Sequence, residues 1–193
     1  MSAGDTVGAM ANRLATTLGR YRFDATAAAL IESAFNDAVA ARKQHAGRAS
    51  EMLHPGRTVL ILLEDVRVHR SATLAAGALV DSEEPGWTVA PGRIRERYGD
   101  QIADLVAAVP QPADHGDELL EALLTAPTDV QHIALAEQFD HARHLHLRPR
   151  ELWAPRHALI CSAYLPVAEH IDSILGRRLR WWRDMFERRF LET

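Results

Sequence analysis

The sequence predicts an all-α protein, on the evidence of its composition and its periodicity. Helix-favouring Ala, Leu and Arg are abundant, while aromatic residues make up only 6% of the 193 residues. Apolar residues recur at spacings of three and four along most of the chain, and no segment shows the alternation of a half-buried strand. Because 47% of the residues are hydrophobic, we expect a single-domain bundle of about seven to nine helices.

Charge and cysteine content exclude several classes of protein. The formal net charge is -4, which gives no reason to expect binding to nucleic acid or membranes. The single cysteine, Cys161, allows no intramolecular disulfide, and its apolar neighbours favour a small buried side chain over a reactive thiol. No signal peptide pattern and no apolar run of about 18 residues is present. We therefore expect a cytoplasmic protein.

The first strongly helical pattern begins after residue 20. Residues 1–20 are small and polar, which predicts a flexible segment before a helical domain over residues 21–193. Asp24 or Thr26 is placed to cap the first helix and Gly47 to end it. The apolar positions of that helix share one face: Ala27, Leu30, Ile31, Ala34, Phe35, Ala38 and Val39.

The next elements follow short polar links. After His54-Pro55 we predict a buried helix over about Gly56 to Glu64, with a strand as the competing interpretation. "RSATLAAGALV" predicts a small-residue helix that packs closely on its neighbours, and "APGRIRERYGDQIADLVAAV" predicts another.

The second half of the chain continues the helical pattern. "DELLEALLT" and "TDVQHIALAEQFDHARHLHL" predict two helices broken at Ala126-Pro127, and Pro149 ends the second. A further helix follows, with a kink expected at Pro166. The arginine-rich "RRLRWWRDMFERRFLE" closes the chain. We interpret it as a terminal helix docked through its aromatic stripe, the alternative being a basic amphipathic helix for anionic ligands or membranes.

Two polar motifs in the first half of the chain are candidates for metal chemistry. Asp81, Glu83 and Glu84 end an apolar helix, and such carboxylates can bind a divalent ion or position water. The alternative is a solvated helix end, although acidic groups there oppose the helix dipole. His54, held by Pro55 at the start of a buried helix, is either a metal ligand or a structural histidine.

A third motif lies in "LAEQFDHARHLH". Glu137 and His141 are four residues apart and so share one face of a helix, and His144 lies three residues further on. A carboxylate and an imidazole in this arrangement can bind one metal ion. The alternative is an exposed polar face.

In order and spacing, four segments together resemble the HD-domain metal-dependent phosphohydrolases. They are His54-Pro55, "AGALVDSEEP", "RERYGDQIADLVAAV" and "IALAEQFDHARHL". The sequence is most similar to the RelA/SpoT-type hydrolases that remove pyrophosphate from guanosine tetraphosphate, over roughly residues 28–190. The resemblance implies an all-α HD fold and one divalent metal, often manganese, that activates water for attack on a phosphate ester.

The resemblance assigns roles position by position. His54 and Asp81 match two of the metal ligands, and Glu137 stands where the last aspartate ligand is expected. Glu84 matches the catalytic glutamate. Arg143 matches a nearby arginine of the family, and Arg48 lies in a shortened loop that helps hold nucleotide and phosphate in the relatives.

The departures from the family pattern fall on the site. Val80 replaces the histidine of the His-Asp doublet, and Pro85 replaces an aspartate beside Glu84. This pattern favours loss of the ancestral hydrolysis. However, His141 shares the face of Glu137, so it can supply the missing imidazole in a set of His54, Asp81, Glu137 and His141.

The sequence is compatible with two functions. One is a divergent phosphohydrolase that uses a manganese-like ion on a nucleotide or another phosphorylated small molecule. The other is a non-catalytic relative that uses its pocket for ligand sensing or protein interaction. The first requires metal in a one-to-one ratio, and the second predicts an intact fold without it. Neither involves nucleic acid or membranes, and either is compatible with a homo-oligomer.

Overall fold

The computed structural model describes residues 3–43, 51–115, 118–171 and 173–192, and these ranges contain helices and no strand. The all-α prediction is therefore confirmed, and the strand interpretation of residues 56–64 is wrong. The described residues form twelve α-helical segments, which amount to about ten helices, slightly more than the seven to nine expected. One reason is Gly99, whose φ of 82° divides the helix predicted over residues 91–109 into two.

Twelve α-helical segments follow one another along the chain. They are α1 (Ala3–Arg20), α2 (Ala25–Lys43), α3 (His54–Leu60), α4 (Ser71–Leu79), α5 (Pro91–Tyr98), α6 (Asp100–Ala107), α7 (Pro112–His115), α8 (Leu119–Thr125), α9 (Thr128–His144), α10 (Trp153–Leu159), α11 (Leu165–Ile171) and α12 (Ser173–Phe186). The π-helical segments Ile61–Asp65, Ile160–Tyr164 and Glu187–Leu191 continue α3, α10 and α12.

Helix α4 lies at the centre of the bundle and packs against α2, α3, α6 and α9. Every residue from Thr73 to Leu79 is buried, which agrees with the close packing predicted for its small side chains. A Cβ atom at Gly77 would overlap the end of the Leu62 side chain, so a larger residue there would require that side chain to move. This central helix delivers Asp81, two residues beyond its end, to the interior of the protein.

The prediction of a flexible segment over residues 1–20 is wrong over the described residues, because Ala3–Arg20 forms α1. Leu14 and Leu18 on this helix are fully buried, and Met10 is nearly so. These three residues form one narrow apolar stripe among small and polar residues. The stripe is sufficient to dock the helix once a bundle is present to receive it.

The predicted helix ends have different outcomes: Asp24 and the break at Pro127 are confirmed, whereas α9 ends at His144, before Pro149. Asp24 caps α2, since its Oδ1 accepts a hydrogen bond of 2.8 Å from the backbone N–H of Ala27. Gly47 and Arg48 lie outside the described residues. A π-helical turn, Ile160–Tyr164, precedes Pro166, where the sequence predicted a kink.

The C-terminal helix is docked, as the preferred interpretation predicted. Leu175, Leu179, Trp182 and Phe186 of α12 are buried. Arg178 and Arg180 pair with acidic groups of the same protein, Asp65 and Glu169. In the described part of the chain, no helix is both long enough and apolar enough to cross a membrane.

Two glycines should respond oppositely to the same substitution. A Cβ atom at Gly176 would lie 3.1 Å from the backbone Cα of Glu169, where α11 and α12 meet, and backbone atoms cannot move aside. Gly8 is exposed within α1, and a Cβ atom there would have no other atom within 4 Å. We expect Gly176→Ala to lower the free energy of unfolding by about 1–3 kcal/mol, and Gly8→Ala to raise it by about 0.5–1 kcal/mol. Urea unfolding of both variants checks this, and equal effects would contradict it.

Cys161 is half-buried rather than fully buried, and burial raises the pKa of its thiol to about 11. The thiolate is the reactive form, so its fraction is expected to grow about tenfold per pH unit between pH 8 and pH 10. Alkylation by iodoacetamide, followed by mass spectrometry, should accelerate accordingly over this range. A plateau below pH 9 would show instead an ordinary, exposed thiol. Circular dichroism at each pH confirms that the protein remains folded.

Candidate metal centre

Three helices bring four potential metal ligands together. His54 is the first residue of α3, Asp81 follows α4, and Glu137 and His141 lie one turn apart on α9. One ligand atom from each of these side chains lies within 4.8 Å of the corresponding atoms of the other three. His54, Asp81 and Glu137 are buried, and His141 is nearly so. The set proposed from the sequence therefore meets in space and could hold a metal ion.

Each of the two imidazole rings has a carboxylate near its Nδ1 atom and a buried Nε2 atom in the cluster. They stack with their centroids 4.3 Å apart. Nδ1 of His54 lies 2.9 Å from the Asp140 carboxylate, and Nδ1 of His141 lies 3.8 Å from the Glu83 carboxylate. Both Nε2 atoms are buried and have no hydrogen-bond partner. A carboxylate at Nδ1 favours the tautomer whose Nε2 lone pair is free to bind a metal.

Glu137 is fully buried and is held through one oxygen only. Its Oε1 accepts hydrogen bonds from the backbone N–H of Ser82 and from the Ser82 hydroxyl, the latter at 2.8 Å. The same oxygen lies 3.6 Å from Nε2 of His141. The second oxygen, Oε2, is buried without a hydrogen-bond partner. Ser82 thus fixes the carboxylate, and one oxygen remains able to bind a cation.

Asp81 forms a buried ion pair with Arg42. Nη2 of Arg42 lies 2.6 Å from Oδ2 of Asp81, and the two side chains are only 2% and 3% exposed. Oδ1 accepts hydrogen bonds from the backbone N–H groups of Glu83 and Glu84, at 3.2 and 2.9 Å. It also lies 3.4 Å from Nε2 of His141. Arg42 therefore orients Asp81 so that Oδ1 faces the cluster.

The surroundings separate the pKa values of the two histidines. Burial, and then the neighbouring His141, lower the pKa of His54, so its imidazole is neutral at pH 7. Burial opposes the charged form of His141 as well, but Glu83, Asp81 and Glu137 raise its pKa well above 6.5. Without metal, His141 is therefore cationic and balances the carboxylates. A metal ion would have to replace that proton.

Asp140 and Arg57 belong to the site although the sequence analysis missed both. The Asp140 carboxylate accepts hydrogen bonds from Nε and Nη2 of Arg57, at 2.7 and 2.8 Å, in addition to its contact with His54. Burial would raise the pKa of Asp140, but the hydrogen bonds from His54 and Arg57 lower it. Asp140 lies one helical turn from Glu137, and this spacing could have indicated that it belongs to the site. Its partners, His54 and Arg57, lie more than 80 residues earlier in the sequence.

A cleft opens onto three of the four cluster residues, His54, Asp81 and His141. Its free volume is about 30 Å³, roughly the room for one water molecule or ion beside the side chains. The cleft is acidic at its base, and cationic side chains lie among its walls. Its lining residues are Glu51, His54, Arg57, Asp81, Glu84, Trp87, Asp140, His141, His144, Leu147 and Arg148.

The remaining predicted site residues have different outcomes. Glu84 lines the cleft, and its carboxylate lies 3.3 Å from Nη1 of Arg148. Arg143 is exposed and lies over the ring of Phe139 instead of lining the cleft, so its predicted contact with substrate is not supported. Two residues along α9 from His141 correspond to a rotation of about 200°, which places Arg143 on the opposite face.

Val80 occupies the position where the resemblance expects a histidine ligand. It is buried and adopts an extended conformation at the end of α4. The second imidazole of the cluster comes instead from His141 on α9.

The sequence matches no protein-family model, and no curated protein is significantly similar to it. The geometry of the cluster and the chemistry of its donor atoms are therefore the main indications of function.

Proposed function

We propose that His54, Asp81, Glu137 and His141 bind one divalent metal ion. The observation that carries this proposal is that Nε2 of His54 and Oε2 of Glu137 are buried without a hydrogen-bond partner. Beside them, Nε2 of His141 has only the carboxylates of Asp81 and Glu137 within reach, at 3.4 and 3.6 Å. A buried polar group left unpaired costs about 1–3 kcal/mol. A single cation among these atoms would satisfy all three.

The donor set favours a particular range of metals. Two imidazole nitrogens and two carboxylate oxygens suit Mn²⁺, Fe²⁺ or Zn²⁺ better than Ca²⁺, which prefers oxygen ligands alone. We propose Mn²⁺ as the resident ion. The resemblance to the RelA/SpoT-type hydrolases supports the choice of Mn²⁺. The carboxylates of Asp140 and Glu83, next to the Nδ1 atoms of the two histidines, support metal binding in general, because such contacts orient metal-bound imidazoles.

We further propose that the protein is a divergent phosphohydrolase acting on a nucleotide or another phosphorylated small molecule. A divalent ion would supply Lewis-acid activation of water and of the phosphate ester. Arg57 and Arg148 line the cleft, paired with Asp140 and Glu51, and an anionic substrate would share their positive charge. Glu84 also lines the cleft and would accept a proton from water. The resemblance to the RelA/SpoT-type hydrolases supports this reaction class.

A non-catalytic ligand-binding role is the second candidate, and the pairing of the cluster supports it. Arg42 pairs with Asp81, and the cationic His141 lies beside Glu137, so the fold does not depend on metal for charge balance. Val80 removes one ligand of the family pattern. In this case the cleft would bind a ligand without turning it over.

Metal content is the first test. After loading with Mn²⁺ and desalting, we expect about one ion per chain by mass spectrometry, lost in His54→Ala and kept in His170→Ala. His170 is an exposed histidine and serves as the matched control. A folded wild-type protein without bound metal would contradict the proposed centre.

Phosphate release from nucleotides and sugar phosphates then separates the two candidates. For an enzyme, turnover should require Mn²⁺ and fall at least about 100-fold in Glu84→Gln, whose metal content stays unchanged. Bound metal without turnover on any phosphorylated compound would favour the ligand-binding role.

A further inference from the structure

The metal cleft is too narrow in this structure for the molecules proposed to enter it. Its free volume of about 30 Å³ is the room for one water molecule or ion, whereas sites for small molecules have about 300–1,000 Å³. A nucleotide or a sugar phosphate therefore reaches the cluster only after part of the cleft wall has moved.

Arg148 joins two segments of that wall across the outer part of the cleft. Its Nη1 lies 2.8 Å from Oε1 of Glu51 and 3.3 Å from Oε1 of Glu84. These three side chains line the cleft and are 19%, 17% and 33% exposed. The side chains of His54 and Asp81, which line the same cleft, are only 3% exposed. The contrast places Arg148 and its two partners between the cluster and the solvent.

The backbone around these ion pairs is held by hydrogen bonds, so the side chains are the parts most able to move. The N–H of Arg148 donates to the carbonyl of Leu145, and its own carbonyl accepts from Nε1 of Trp153, both at 2.9 Å. The N–H of Glu84 donates to Oδ1 of Asp81, also at 2.9 Å. Ion pairs that are partly exposed are weak. The long Arg148 side chain can therefore leave its carboxylate partners while the fold stays intact.

We propose that Arg148 is a gate on the metal cleft. While Arg148 pairs with Glu51 and Glu84, the cleft admits only water or an ion. When its side chain turns away, the outer part of the cleft widens and a larger molecule reaches His54 and His141. The same movement releases the Glu84 carboxylate, the proposed proton acceptor, from its cationic partner. The inference rests on the proposed entry of a phosphorylated molecule, and it applies to turnover and to ligand binding alike.

The test measures how fast diethyl pyrocarbonate, a reagent larger than water, acylates each histidine of the metal-free protein. Mass spectrometry of the peptides gives the separate rates. In the wild type, His54 should react at least about tenfold more slowly than the exposed His170. The double variant Glu51→Gln/Glu84→Gln keeps the shape of both side chains but removes their charge, and it should accelerate the reaction of His54 about tenfold. Arg148→Ala should accelerate it at least as much.

Arg95→Ala is the matched control, because Arg95 also pairs with two carboxylates, those of Asp100 and Asp104, but lies outside the cleft. It should leave the rate at His54 unchanged. His157 is buried against Phe186 of α12, and its rate should stay at the wild-type value in every variant.

Three results would overturn the gate. They are a wild-type rate at His54 equal to that at His170, no acceleration in either cleft variant, and an equal acceleration at His157, which would show general loosening of the fold. The measurement needs no bound metal. The expected rates in a protein that takes up no Mn²⁺ would therefore support the gate and contradict only the metal centre.

Discussion

Replacing Asp140 with asparagine is expected to weaken Mn²⁺ binding by about 10- to 100-fold, the usual effect of losing a partner of a metal-bound histidine. Asparagine preserves the shape of the side chain but removes the negative charge 2.9 Å from Nδ1 of His54. The His54 imidazole would then be less basic and less firmly oriented. Isothermal titration calorimetry of metal-free protein with Mn²⁺ measures the effect directly.

Asp129→Asn provides the matched control for this experiment. Asp129 lies on the same helix, but its carboxylate pairs with the exposed Arg70 far from the cluster. Its substitution should change Mn²⁺ affinity less than about twofold, as expected for a surface ion pair. Unchanged affinity in Asp140→Asn, together with loss of metal in His54→Ala, would show that Asp140 serves only to anchor Arg57.

The second large effect is expected from Arg42→Met, which should lower the free energy of unfolding by about 3–5 kcal/mol. Arg42 and Asp81 are almost completely buried and 2.6 Å apart. Methionine fills much of the volume of arginine but leaves the Asp81 carboxylate with one cation fewer in a region of low dielectric constant. Urea unfolding of the metal-free protein at pH 7 measures the loss.

Two further variants separate the buried charge from other effects of this substitution. Arg180→Met breaks an exposed pair with Glu169 and should cost less than about 1 kcal/mol. Adding Asp81→Asn to Arg42→Met removes the unpaired charge and should recover most of the lost stability. A double variant no more stable than Arg42→Met would mean that packing, not charge, is the main contribution of Arg42.

The stability that the Arg42–Asp81 pair contributes should decrease at acid pH. Burial opposes ionisation of Asp81, but His141, His54 and Arg42 together hold its pKa well below the ordinary 3.8. Since the folded pKa lies below the unfolded one, the stabilisation is complete above about pH 4 and is lost as the pH falls through the folded value. The difference in stability between wild type and Arg42→Met should therefore narrow below pH 4.

Much of the fold follows from local patterns. The spacing of apolar residues identified α2, α4 and α9, because a helix with 3.6 residues per turn repeats its buried face every three to four positions. Asp24 marked the start of α2 and Pro127 the break between α8 and α9, whereas α9 ends at His144, before Pro149. Helix α1 was missed, since three apolar residues among small ones form a weak pattern, and α1 is buried only because the rest of the bundle provides a surface for it.

The candidate site was likewise predicted only in part from local patterns. The sequence alone indicated that Glu137 and His141 share a helix face, and that acidic groups follow the apolar helix ending at Leu79. The same helical geometry, applied to Arg143, would have placed it away from the cleft. The π-helical turn before Pro166 was expected only as a kink.

Only the tertiary structure showed which distant residues become partners. Arg42 meets Asp81 across 39 residues of sequence, and Asp140 meets His54 across 86. Local propensity contains no information about such pairs, because they form when α2, α3 and α9 pack around α4 and exclude water from the charges between them. Sequence periodicity therefore determines the helices and their faces, whereas packing in a low-dielectric interior decides which polar groups must be paired and which remain able to bind an ion.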